Sequence, residues 1–244
     1  MSAMVKGIET ITLAEAYKQS IQYIIWNHRE LTTEDKELVW RSKDTLILHV
    51  DNPSKDLDTL IDYYPMGRQG MSTYVDEVMG TDERPTLNTT DDFCYTYNER
   101  LCHYEVLLNE KVISSDGVER YYTRSHVIDQ IDEIVHRLNS SHSTRRACAI
   151  TWRPYEDNYT NTRSPPCLQW IKCEIVDNRL NMYTLWRSRD VLLGMGANIY
   201  ALHALHSLIA ARCQCAVGFY EDMNVDAHIY YKRDGNYLKR WMGQ

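Results

Sequence analysis

The sequence contains no apolar run approaching the ~20 residues that a membrane-crossing helix requires, and its first residues, Met1 to Glu9, lack the apolar core of a secretory leader. These absences set the expectation of a soluble, cytoplasmic protein with no membrane partner. Basic side chains are not in excess either: 27 Lys and Arg stand against 34 Asp and Glu, for a net charge of −7, with no basic block or aromatic-basic stripe. That balance argues against a nucleic-acid backbone as a general partner. The 7 cysteines are odd in number and irregularly spaced, which does not suit a disulfide framework. Cys213-Gln214-Cys215 is too tight for the two-residue-gap pair of a structural zinc site, and no second Cys/His pair completes one, so no metal is expected. His203 and His206 have no carboxylate or third histidine in register and are read as partly exposed helix positions. Repeats and low-complexity segments are also missing. What is present is a chain of 244 residues, long enough for a sizeable core and read as a single domain over 1–244.

Hydrophobic spacing places the main elements. Ile11, Leu13, Tyr17, Ile21, Ile24 and Ile25 predict a helix over 11–28. Leu38 to Val50 is rich in strand formers and ends at Asp51-Asn52-Pro53. Val127, Ile128, Ile131, Ile134, Val135 and Leu138 predict an amphipathic helix over 126–138, followed by a strand over Arg145–Trp152. Leu168–Val176, the turn-forming Asp177-Asn178 and Leu180–Trp186 read as a β-hairpin. From Ile199 onward, apolar residues recur every three to four positions to Ala211, which predicts a buried helix with Asn198 at or near its N-terminus. Strands and helices in this irregular order indicate an α+β fold rather than a βαβ series.

The hairpin matters because of what lies at its ends. Cys167 follows the double proline Pro165-Pro166, and Arg187 begins Arg187-Ser188-Arg189-Asp190. The fold-back returns the arginine to the cysteine. A thiolate is the reactive form of cysteine, and a neighbouring cation is expected to lower the thiol pKa from about 8.5 toward neutrality. A cysteine taken at random is more often a small buried apolar residue. The segments that follow, Gly194 to Asn198 and Asp226-Ala227-His228-Ile229-Tyr230, weigh against that reading.

Together these motifs resemble thymidylate synthases, and more closely the short archaeal-type members of that family. The family reads Pro-Cys, Arg-Ser-x-Asp, a glycine-containing loop ending in Asn, and Asp-x-His-x-Tyr, in this order. Ser143-Thr144-Arg145-Arg146 and the following strand look like the family's paired-arginine segment. The strong resemblance covers 143–234, and a weaker one reaches Tyr95 to Arg100.

The resemblance implies a twisted mixed sheet with helices on one face, whose other face packs on a second subunit in a homodimer. It also implies reductive methylation of dUMP to dTMP, a methyl transfer of nucleotide biosynthesis, with 5,10-methylenetetrahydrofolate or another methylene-tetrahydropterin as co-substrate. Cys167 would add to C6 of the uracil. Arg187 would hold the phosphate and keep the sulfur ionised, with Ser188 adding a phosphate hydrogen bond. Arg145 and Arg146 would cross the dimer interface to the partner's phosphate. Asn198 would read the base, His228 and Tyr230 would hold the sugar hydroxyl, and Asp190 would contact the pterin. Tyr97 would stand near the C5 proton, and Glu77 or Glu83, of which Glu77 is preferred, would manage protons around O4.

Several departures from the pattern stand out. The N-terminal phosphate-binding arginine has only Arg29 or Lys36 as candidates. Gly194 to Asn198 lacks the usual Pro-Phe, which reads as a more flexible loop. Only residues 231–244 follow Tyr230, so the family's long folate-closing tail reads as absent or replaced. Two alternatives follow: a pyrimidine nucleotide (dUMP, dCMP or CMP) 5-hydroxymethylase built on the same site, and an inactive nucleotide- or RNA-binding homologue.

Overall fold

The computed structural model describes residues 4–81, 95–113, 115–158 and 164–243. In chain order its elements begin with β1 (Val5–Thr10), α1 (Leu13–Trp26), β2 (His28–Thr32), β3 (Leu38–Ser42), β4 (Thr45–Val50), α2 (Leu57–Tyr63) and α3 (Gly67–Met79). There follow α4 (Tyr97–Cys102), β5 (Tyr104–Ile113), β6 (Glu119–Ile128), α5 (Gln130–Ser140), β7 (Cys148–Ile150) and α6 (Pro154–Asp157). The C-terminal part contains β8 (Leu168–Val176), β9 (Arg179–Trp186), β10 (Arg189–Asp190), α7 (Met195–Arg212), β11 (Ala216–Asn224), β12 (Ala227–Ile229) and α8 (Gly235–Met242).

The expected mixed α+β architecture is found. A six-stranded mixed sheet runs β1-β4-β11-β9-β8-β7, and a four-stranded sheet runs β10-β12-β3-β2. In the large sheet β1 pairs parallel with β4 and β11 parallel with β9, and the other pairings are antiparallel. One face is buried, with Leu46, Leu48, Val50, Ile171, Cys173, Leu180, Met182 and Tyr220 turned toward the helices. On the other face Trp170, Tyr183 and Phe219 are half-buried, while Met223 and Ile150 are exposed.

Helix α7 is the central element. Its buried residues occupy most of its circumference, and it packs against α3, β9 and β11. Gly196 lies inside this helix, where an added Cβ would come within 2.6 Å of the Tyr64 ring. The glycine therefore allows close helix packing and is not part of a flexible loop, which corrects the reading of 194–198. The predicted helix over 11–28 is α1, started by Thr12, whose Oγ1 accepts from the Glu15 amide at 3.2 Å.

The hairpin is found as expected. Asp177 (φ 50°) and Asn178 (φ 57°) are both left-handed between β8 and β9, the geometry of a two-residue turn matched to the strand twist. Two predicted elements are displaced. The strand-forming run from Leu38 to Val50 is two strands in different sheets. Ser42 breaks it, its Oγ donating to the Asp44 carbonyl at 2.7 Å and accepting from the Asp44 amide at 3.2 Å. Val127 and Ile128 belong to the end of β6, and the helix starts only after Asp129, which accepts from the Asp132 amide at 2.9 Å. β-Branched residues ahead of a capping aspartate favour the strand. Strand β7 is shorter than expected and leaves Arg145 and Arg146 outside it. Among the described residues, strands β5 and β6 form a ribbon that pairs only with itself.

His206 differs most from its expected exposure, being fully buried in α7. Its Nε2–H donates to the Leu180 carbonyl at 2.6 Å, and among the described residues Nδ1 has no partner. Burial disfavours a second proton and pushes its pKa down from 6.5 to about 4. The unfolded chain therefore binds more protons between these values, so the protein has its full stability above about pH 6.5 and loses it as pH falls toward 4. His206→Gln keeps a donor for Leu180 and is expected to remove on the order of 3 kcal/mol of this pH-dependent loss. Urea unfolding across that pH range measures it, and an unchanged slope would contradict the assignment.

Candidate active site

Two strand ends and a helix start converge here. Cys167 immediately precedes β8 and Arg187 immediately follows β9, and the Arg187 amide donates to the Cys167 carbonyl at 2.9 Å. Leu168 lies opposite Trp186, and the register shifts before Trp170 pairs with Leu185. This irregularity bends the strand beside the cysteine, a common way to aim a functional side chain. The Arg187 guanidinium donates through Nε to the Pro166 carbonyl at 2.9 Å and through Nη2 to the Pro165 carbonyl at 2.6 Å. Trp152 lies beneath it, with 5.8 Å from the guanidinium carbon to the ring centroid. The double proline thus supplies carbonyls that hold the arginine next to the thiol. Ser188 is half-buried between Arg187 and β10.

The electrostatics correct one expectation. Burial pushes the Cys167 thiol up, and the attraction of Arg187 and Arg189 only partly offsets it, while Asp190 and Asp226 add to the rise. The thiol is therefore not brought to neutrality by its arginine. Desolvation prevails because the half-buried sulfur has lost much of its hydration, and two carboxylates share the space with two guanidiniums.

Asn198 is the fourth residue of α7 and is buried. Its Nδ2 donates to the Tyr74 hydroxyl at 2.6 Å. Tyr74, from α3, carries no motif in the sequence and was not anticipated. Glu77 lies on the same helix three residues on; burial pushes the Tyr74 phenol up, and the charges of Tyr97 and Glu77 add to this. Glu83 lies outside the described residues. Tyr97 starts α4 and accepts from the Leu168 amide at 3.1 Å, with its ring edge-on to Trp186 at 5.9 Å. Burial pushes the Tyr97 hydroxyl up to about 12, and the charge of Cys167 adds to this. Helix α4 is anchored by a buried two-pronged ion pair, Arg100 Nη1 and Nη2 to Asp157 Oδ2 and Oδ1 at 3.0 and 3.1 Å. Tyr74, Val78, Tyr97, Leu168, Trp186, Asn198 and Leu202 line a narrow cleft.

Parallel pairing of β10 with β12 sets Asp190 beside His228. Asp190 Oδ1 accepts from the Leu192 and Leu193 amides at 3.0 and 3.1 Å, and Oδ2 accepts from Arg233 at 2.9 Å. Burial holds its carboxyl above the usual aspartate range, opposed by the Leu193 amide, His228 and Arg233. Arg233, also unanticipated, lies over the Tyr230 ring at 4.0 Å and is held by Asp234. His228 donates from Nδ1 to the Asp226 carbonyl at 3.2 Å, which leaves Nε2 without a partner among the described residues. Tyr230 lies just past β12, with its ring edge-on to His228 at 4.9 Å.

Arg145 and Arg146 are exposed and are not brought to Cys167 of their own chain. Cys148 pairs with Lys172, so the two arginines lie beyond that pair, roughly 20–25 Å along the sheet from the cysteine. Arg29 is exposed on β2, with one weak bond from Nη2 to the Lys43 carbonyl at 3.4 Å. Lys36 occupies a left-handed turn position (φ 65°). No helix among the described residues is long and apolar enough to cross a membrane, and no group of three or more His, Cys, Asp or Glu side chains among them is placed to hold a metal ion.

The chain matches the thymidylate synthase family over residues 19–240. It is 28% identical to a protein of Methanocaldococcus jannaschii named "Putative thymidylate synthase", over 96% of this chain and 95% of that relative. Proteins of the same name from Methanococcoides burtonii and Methanothermobacter thermautotrophicus are 27% and 28% identical, covering 94% and 93% of this chain and 91% and 94% of theirs. The match spans every element that builds the site, from α3 to β12: this chain belongs to the thymidylate synthase family.

Proposed function

We propose that the protein methylates dUMP to dTMP, with a methylene-tetrahydropterin as the source of the one-carbon unit and of the hydride. The observation that carries this reading is the seating of Cys167 against Arg187, with their strand neighbours Leu168 and Trp186 lining the same cleft as Asn198. The sulfur adds to C6 of the uracil, and C5 becomes an enolate-like nucleophile for the one-carbon unit. Loss of the C5 proton with departure of the tetrahydropterin from the one-carbon unit, transfer of hydride from that pterin to the exocyclic carbon to leave a dihydropterin, and release of the thiol complete the product. In this reading Tyr97 and, on α3, Tyr74 and Glu77 move the C5 and O4 protons.

Arg187 binds the phosphate through its planar fork, which requires it to exchange the Pro165 and Pro166 carbonyls for phosphate oxygens. The same movement brings a dianion close to the thiol, so Arg187 alone does not keep the sulfur charged. Asn198 offers both a donor and an acceptor to O4 and N3–H, and Tyr74 fixes the plane of its amide. The unpartnered Nε2 of His228 and the Tyr230 hydroxyl suit a sugar hydroxyl. Asp190 suits the donor edge of an aminopyrimidinone, because the Leu192 and Leu193 amides fix its orientation.

We infer further that two copies associate through the helix-free face of the large sheet. Half-buried Trp170, Tyr183 and Phe219 and exposed Ile150 and Met223 support this, as does the exposure of Arg145 and Arg146 at its β7 edge. An isologous pair would let the arginines serve the other copy's phosphate.

Three outcomes are expected. 5-Fluoro-dUMP with a methylene-tetrahydropterin should form an adduct that peptide mapping places on Cys167, and the natural substrate should give a 5-methyl nucleotide with a dihydropterin. A 5-hydroxymethyl product with tetrahydropterin returned would instead establish the hydroxymethylase alternative. Asn198→Asp should move the dUMP-to-dCMP ratio of kcat/KM toward dCMP by roughly 1–3 kcal/mol, the cost of an unmatched buried polar group, and an unchanged ratio would remove Asn198 from base reading. Mixing inactive Arg146→Ala with inactive Cys167→Ala subunits should restore activity, since one site of each hybrid keeps both groups. No recovery after demonstrated subunit exchange would count against shared sites.

A further inference from the structure

The Arg-Ser-x-Asp motif leaves its third position open, and in this chain that position is an arginine that the reaction as described does not use. Arg189 is only 2% exposed. Its guanidinium carbon lies 3.5 Å from the centroid of the Trp186 ring, and Nη1 faces the fully buried Asp222 carboxylate at 3.5 Å. Asp222 is in turn held by the Thr184 hydroxyl, which donates to its Oδ1 at 2.6 Å and also meets the Tyr220 hydroxyl at 3.0 Å. Among the described residues, Nε and Nη2 of Arg189 have no hydrogen-bond partner. A buried guanidinium with one distant counter-charge and two unmet donor groups is costly to maintain.

Its surroundings show where that charge can act. Trp186, on which it stacks, pairs with Leu168, the residue after Cys167. The charged groups acting on the sulfur are Arg187 and Arg189 on one side and Asp190 and Asp226 on the other, and the phenols of Tyr95, Tyr97 and Tyr230 are also within its electrostatic reach. Of the two cations, Arg187 is half-exposed and is committed to proline carbonyls. Arg189 makes only long contacts from Nη1, to the Asp222 carboxylate and to Asn224 Oδ1, each at 3.5 Å among the described residues, and its buried field is little screened by solvent.

We propose that Arg189 is a positioning residue for Cys167: a second, buried cation, clamped between Trp186 and Asp222, that holds the sulfur's negative charge while Arg187 is engaged with phosphate. The proposal rests on the reading of Cys167 as the nucleophile, and it assigns the support of the thiolate and the binding of the phosphate to different arginines.

The test needs no nucleotide. The rate at which iodoacetamide alkylates Cys167 in the full-length protein, followed by mass spectrometry of the peptide that contains it, reports the thiolate fraction as a function of pH. Replacing the pair by Arg189→Met with Asp222→Asn is expected to raise the midpoint by about one pH unit and to slow alkylation near neutrality about tenfold. Arg189→Gln, which keeps a donor for Asp222 but no charge, should produce the same shift should the double variant fail to fold. Arg189→Lys should restore most of the wild-type profile, and the exposed Cys148 should alkylate equally in all of them. An unmoved midpoint in a folded neutral variant, or a lysine variant displaced as far as the neutral ones, would reduce Arg189 to a packing role. A shifted midpoint in a protein that forms no 5-fluoro-dUMP adduct would support Arg189 and overturn the nucleotide chemistry instead.

Discussion

The register of β8 against β9 is the constraint on which the site depends. A two-residue turn with both residues left-handed fixes Val176 opposite Arg179, and every pairing along the ladder follows from it. Because alternate side chains point to opposite faces, a slip of one residue would exchange the buried Leu180, Met182 and Trp186 for Arg179, Asn181 and Leu185. The same register ends with the Arg187 amide on the Cys167 carbonyl. Core formation and the approach of the arginine to the thiol are therefore one event. The shift between Leu168 and Trp170 then sets the angle at which the cysteine leaves the sheet.

The parts of this arrangement carried by contiguous residues were legible in the sequence. The hairpin, the buried helix after Asn198 and the order of the Cys167, Arg187, Asn198 and His228 motifs each depend on local spacing. The parts produced by contacts between distant segments were not. Tyr74 reaches Asn198 from a helix whose buried residues are Met71 and Val78, too few for a clear apolar period. Arg233 reaches Asp190 across 43 positions and has no periodic signature. Elements were misplaced where side-chain hydrogen bonds override propensity, as when Ser42 breaks a continuous strand-forming run and Asp129 starts a helix later than the apolar pattern suggests. His206 looked like a polar helix position, but its place opposite Leu180 buries it.

Buried ions recur around the cleft. Arg100 with Asp157 anchors α4, and Arg153, itself buried, donates to Glu99 at 2.9 Å and to the His103 carbonyl at 2.9 Å, so the helix that starts with Tyr97 is held from both ends. Such pairs give little net stability compared with apolar packing, because desolvation cancels much of their attraction. Their contribution here is geometric: they hold the helix whose Tyr97 hydroxyl accepts from the Leu168 amide.

The raised Cys167 thiol has a consequence outside catalysis. Peroxides and disulfides react with thiolates far faster than with thiols, so the protonated fraction of a cysteine sets its rate of entry into sulfenic acid and mixed disulfides. Burial, and after it the charges of Asp190 and Asp226, push this thiol up against the pull of Arg187 and Arg189. The desolvation that disfavours the charged sulfur as a nucleophile therefore also disfavours the form in which it is oxidised.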